Sequence, residues 1–209
     1  MVNITVIGDK MAMEENMDTM HEGDFDKKWM GLWEEHVAWT RLTIISLVDI
    51  KDTTETIATE NRLLRNTKDM AEVCRVFYGE EAATKFDELM TEHLTTVAEL
   101  VQAAVAEDNT KADDVEKKWY KNADEIAATL NMLNPNWEEK EMKNMLYDHL
   151  RLTKAETMAR ITKDYTTDIS TYDEKEKQAR MMADGFSHGI IMQFPDKFEK
   201  KKKHFWQRM

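Results

Sequence analysis

Three acid–histidine pairs, Glu35-His36, Glu92-His93 and Asp148-His149, fall 57 and then 56 residues apart. Between them stand three base–carboxamide pairs, Arg65-Asn66, Lys121-Asn122 and Lys177-Gln178, at intervals of 56. Imidazole is the commonest transition-metal ligand among side chains and can also move protons near neutral pH. Three histidines from three elements are enough to hold Zn, Fe, Mn or Cu. The candidate metal ligands are therefore His36, His93 and His149. Glu35, Glu92 and Asp148 lie one residue back, about 100° round a helix, as outer ligands or orienting groups. Asn66, Asn122 and Gln178 are the candidate cofactor-binding residues, since a carboxamide both accepts from and donates to imidazole. No Glu-x-x-His pair of the di-iron type is present. No nucleophile–base–orienter pattern is readable, Cys74 has no assigned histidine partner, and catalytic residues stay unassigned.

Such a layer needs elements that bring six residues to one height. The midpoints between successive pairs fall at Lys51, Gly79-Glu80, Glu107-Asp108, Pro135-Asn136 and Lys163-Asp164. Gly79 is a helix stop and Asn-Pro-Asn a turn signal. Each layer residue is then about 14 residues, or roughly 21 Å, from its turn. The spacing predicts an all-α, up-down antiparallel bundle of about six long helices, built from three repeated hairpins of about 56 residues. Helix 1 is expected from Asp24–Asp26 to Leu47, helix 2 from Thr53 to Phe77 and helix 3 from Glu81 to Ala106. Helix 4 follows from Ala112 to Leu133, helix 5 from Trp137, and helix 6 from Thr166 to Met192. Leu89, Val97 and Leu100 surround His93 at helical spacing, and Met142, Met145 and Leu152 surround His149, so both histidines interrupt apolar stripes. Gln178 fits less well, with Met181 at +3 but Glu174 at −4. A rival register aligns Asn122-Ala123-Asp124 with Met182-Ala183-Asp184.

Composition agrees with this class. Six Gly and two Pro in 209 residues are too few for a doubly wound α/β domain. The net charge is −12, and the stretch 197–209 carries six Lys/Arg against one Glu. An acidic body argues against nucleic acid as a partner. No stretch reaches 18 apolar residues, so no transmembrane segment is expected, and the single cysteine makes no internal disulfide; a soluble cytoplasmic protein is expected. The chain divides into a Met-rich arm at 1–22, a bundle at 23–196 and a basic tail at 197–209.

Other residues carry two readings each. Met11, Met13, Met17 and Met20 with His21 suit Cu(I) or simple packing. Trp29, Trp33 and Trp39 wall a pocket or fill the core. Arg41 is an anion ligand or a surface ion-pair partner. Asp184 and His188, at i and i+4, are a ligand pair or a surface pair. The tail, with Phe205 and Trp206 among lysines, suits weak contact with an anionic membrane or acidic partner, or solvation.

The run Leu32-Trp33-Glu34-Glu35-His36-Val37-Ala38-Trp39-Thr40-Arg41 resembles the opening signature of an uncharacterised prokaryotic helical-bundle family. Arg62-Leu63-Leu64-Arg65-Asn66, Trp119-Tyr120-Lys121-Asn122-Ala123, Asn134-Pro135-Asn136-Trp137 and Gln193-Phe194-Pro195 are similar to its later parts, over about residues 30–198. Members carry names such as acetylglutamate kinase or glycosyltransferase. The resemblance implies a helical fold and no mechanism. The residues speak against both names: the glycines are scattered, and no Walker motif, GxGxxG or other phosphate-cradling loop is present. Two functions stay open: a bundle that binds a metal ion or small ligand in its His/Asn/Gln layer, and a structural or interaction scaffold whose layer sets helix register.

Overall fold

The computed structural model describes residues 20–50 and 52–199. Met11, Met13 and Met17, and the tail beyond Glu199, lie outside the described residues. The described residues are all-helical in class, with one pair of two-residue strands among them. After β1 (Met20–His21) come α1 (Glu22–Ile45), a π-helical turn (Ser46–Ile50), α2 (Thr53–Val105), α3 (Asn109–Leu133), α4 (Glu139–Ile161) and α5 (Tyr165–Gln193). A short 3₁₀ turn (Pro195–Lys197) leads into β2 (Phe198–Glu199), which pairs in parallel with β1, Met20 opposite Phe198.

Five helices thus stand where six were expected, because α2 takes in the second and third. It is not straight. Gly79 has φ 84° and ψ −179°, a region essentially reserved for glycine. Thr67 Oγ1 donates to Asp87 Oδ1 at 2.6 Å. Twenty residues of straight helix span about 30 Å, so the contact shows that the two arms of α2 fold back on each other at Gly79.

Turn chemistry recurs. Asp52, Asp108 and Asp164 cap the N-termini of α2, α3 and α5, each carboxylate accepting from backbone N–H groups two to three residues on. Such caps satisfy donors that a helix start leaves orphaned. Glu107 and Lys163, just before the last two caps, adopt positive φ of 56° and 61°. These are left-handed helix terminations made without glycine.

The elements pack in chain order, and α1 also packs on α5, which closes the arrangement. Trp29 and Trp33 lie against Phe186, with ring centroids 6.2 and 5.4 Å away. Trp137 approaches α5 closely, and a Cβ at Gly189 would meet its indole nitrogen at 2.0 Å. At one end Phe77 stacks on Phe198 and Phe25 packs at an angle to both, and Tyr78 bonds Gln193 and Asn134. Phe198 is buried in this cluster although it lies within the expected tail. No helix among the described residues is long and apolar enough to cross a membrane.

Candidate functional site

All six layer residues are buried: His36 on α1, Asn66 and His93 on the two arms of α2, Asn122 on α3, His149 on α4 and Gln178 on α5. Their contacts follow one scheme. Asn122 Nδ2 donates to the Leu89 carbonyl at 3.0 Å, and Oδ1 faces His93 Nδ1 at 3.0 Å. Gln178 Nε2 donates to the Met145 carbonyl at 2.9 Å, and Oε1 faces His149 Nδ1 at 3.0 Å. Asn66 Nδ2 donates to the Leu32 carbonyl at 3.0 Å. Leu32, Leu89 and Met145 each stand four residues before the histidine, so each carboxamide clasps one turn of the neighbouring helix. The scheme is complete twice. Between α1 and the first arm of α2, His36 Nδ1 and Asn66 Oδ1 lack hydrogen bonds, although Asn66 still acts on the ring in the sense that raises its pKa.

The clasp sets the tautomer. The NH₂ is spent on a carbonyl, so the amide oxygen faces the ring, and an amide oxygen only accepts. Nδ1 of His93 and His149 therefore carries the proton, and Nε2 keeps its lone pair. Among the described residues no hydrogen bond engages Nε2 of His36, His93 or His149. Burial holds all three rings neutral. It pulls His93 to about 4 and His149 to about 3, and it carries His36 well below its ordinary value. The His36 and His149 rings lie 5.6 Å apart, and Trp33 sits edge-on to both. After burial, the charge of Lys175 is the next influence on His149; it depresses His36 too, together with the other two imidazoles.

A charged cluster adjoins the layer. Lys175, fully buried, pairs with Glu156 Oε2, while Arg41 reaches Glu156 Oε1 at 2.6 Å and Asp168 Oδ1 at 2.7 Å. Arg160 joins Asp168 at 3.1 Å and also pairs with Asp49. Removing such charges from water costs several kcal/mol per ion unless each is paired. Here they pair with one another. Desolvation lowers the Lys175 pKa despite the carboxylate beside it. Sequence reasoning missed Glu156, Asp168 and Lys175. Their spacing was a usable signal, since Glu156 is seven residues after His149 and Lys175 three before Gln178, both on the layer's face. Arg41 belongs to a largely buried ion pair rather than a surface one.

The acidic partners sit elsewhere. The side chains of Glu35, Glu92 and Asp148 are 47, 43 and 47% exposed and engage Arg62, Lys118 and Arg151. Only Glu92 touches the layer, 3.5 Å from Asn122 Nδ2. Arg62 and Lys118 stand one turn before the carboxamides, so the cross-helix pairs are offset by a turn from Arg65 and Lys121, which pair along their own helices. Among the described residues no three His, Cys, Asp or Glu side chains converge on a metal-sized point. Asp184 and His188 are exposed. Cys74 is buried, and its thiol is pushed up to about 12 by desolvation, which removes it as a nucleophile.

No known protein family, curated protein or solved structure matches this chain.

Proposed function

We propose that the chain is three repeats of one helical hairpin, forming a closed ring of six arms around a binding centre at the His/Asn/Gln layer. That centre takes a transition-metal ion (Zn, Fe, Mn or Cu) or a small polar ligand on imidazole Nε2 atoms. The repeat is supported by the recurring clasp and by Asp caps at intervals of 56 residues. One observation carries the binding role: neutral imidazoles have Nδ1–H fixed by an amide oxygen and Nε2 uncommitted. Histidine ligands commonly have their other ring nitrogen anchored in this way. His149, whose Nδ1–H is fixed in this way, is assigned to the ligand first, with His93 fixed alike and with His36, whose ring lies 5.6 Å from that of His149. The Lys175 charge, which depresses His149 and His36, opposes a cation there, and its pairing with Glu156 limits that opposition.

A second reading is a scaffold. The clasps tie neighbouring helices, and among the described residues three protein ligands do not converge, so the layer on this reading only fixes register. Metal analysis of the purified protein separates the two. Stoichiometric metal, lost in His36→Ala and His149→Ala, supports the binding centre. Metal-free protein that also takes up no Zn, Fe, Mn or Cu on titration removes the metal reading. Lower melting temperature as the only defect of those variants supports the scaffold. We further assign the basic stretch 197–209 to weak contact with an anionic membrane or acidic partner and place the protein in the cytoplasm.

A further inference from the structure

A cleft of about 230 Å³ opens between α1 and the two arms of α2, walled by Ile44, Leu47, Leu63, Leu94 and Val97. Glu60 and Ala98 line it from opposite arms, and a shallower pocket of about 330 Å³ continues it past Leu47 and Glu60 toward Ile57. Thr40 and Val97 stand one turn beyond His36 and His93, so the floor lies one helical turn from the polar layer. The cleft is a site separate from that layer.

The repeat reading shows what this cleft lacks. Glu60, Glu116 and Tyr172 each stand six residues before a layer carboxamide. Ala98, Lys154 and Arg41 each stand five residues after a layer histidine. In one copy Lys154 Nζ bonds Glu116 at 2.5 to 2.7 Å, and both line the corresponding pocket. In another, Arg41 lies over the Tyr172 ring at 4.9 Å. In the third, Glu60 and Ala98 line the cleft from the two arms, and no ion pair or hydrogen bond engages Glu60 among the described residues. Two copies thus set a cation against the acid or ring, and the cleft copy has a methyl group and open space.

We propose that this cleft binds a small amphiphile with an apolar body and one basic nitrogen, its ammonium group pairing with Glu60. Leucine and valine side chains exclude water from the body of such a ligand, as in pockets built for small molecules. Burial raises the Glu60 pKa, and an ammonium partner relieves that penalty. An anionic amphiphile meets Glu60 and Glu99 at the rim instead. The proposal rests on the three-hairpin alignment but not on the ligand reading of the layer, so either can fail alone.

The test is calorimetric titration of the full chain with octylamine, octanol and octanoate below their aggregation concentrations. Octylamine is expected to bind tightest. Glu60→Gln should weaken octylamine by about fivefold, the size of a partly exposed ion pair, and leave octanol unchanged. Ala98→Lys, which restores the cation of the other copies, should abolish octylamine binding and raise the melting temperature. Equal affinity for octylamine and octanol, no binding of either, or full octylamine affinity in Ala98→Lys overturns the proposal.

Discussion

At the residue scale, chemistry turns on what each carboxamide leaves for its imidazole. Asn122 serves both a carbonyl and His93, so Asn122→Ala strands two buried groups and should cost about 2–4 kcal/mol in chemical denaturation. Asn66 has no completed bond to His36. Asn66→Ala should therefore cost less, by about 1 kcal/mol, the worth of one hydrogen bond. Equal losses would argue against the open clasp. Protonation gives a second prediction. The three histidines are neutral in the fold and titrate near 6.5 in the unfolded chain. Between that value and their folded values the unfolded chain binds more protons, so stability is full above pH 6.5 and falls as pH drops. The loss for His93 ends at about 4 and for His149 at about 3. His93 alone accounts for roughly 3 kcal/mol across that window. Urea midpoints from pH 7.5 to 4 check it, and His93→Gln should flatten the slope. The six layer positions were legible because they repeat. Glu156 and Lys175 share the layer's face, but they and Asp168 were passed over because a charged residue ordinarily reads as surface.

At the element scale, the turns decide the outcome. The breaks at Gly79, Asp108, Asn134 and Asp164 were legible from turn residues and the regular interval. The merging of two expected helices into α2 was not, because a single glycine reverses the chain there without a loop. Gly79→Ala should cost about 1–3 kcal/mol, since φ 84° with ψ −179° suits no side chain. Lys163→Gly, at φ 61°, should instead gain up to about 1 kcal/mol. Thermal unfolding of both variants tests this pair of opposite signs. The expected start of the fourth helix at Ala112 was three residues late, because Asp108 caps the helix from Asn109. The cap recurs at Asp52 and Asp164, a signal present in the sequence and readable by the same interval.

At the scale of the whole molecule, the first and last helices must meet. Packing of α1 on α5 joins elements far apart in sequence, and no local pattern announces it. The closed arrangement was therefore not legible, whereas the all-helical class was. Arg41, Glu156, Asp168 and Lys175 sit at this closure and are absent from the other sectors, which makes them a mark of correct partner choice. Lys175→Met alone should cost about 3–5 kcal/mol by leaving a carboxylate with one cation fewer. Adding Glu156→Leu should recover part of that loss, as read by denaturant midpoints.

The proposed binding centre depends above all on neutral imidazoles whose Nε2 lone pairs remain available. Long-range ¹H–¹⁵N NMR of histidine-labelled protein at neutral pH reads this directly. The expected spectrum shows His93 and His149 as neutral Nδ1–H tautomers with unprotonated Nε2, retained on mild acidification. Nε2–H tautomers or imidazolium signals at those two residues would contradict it.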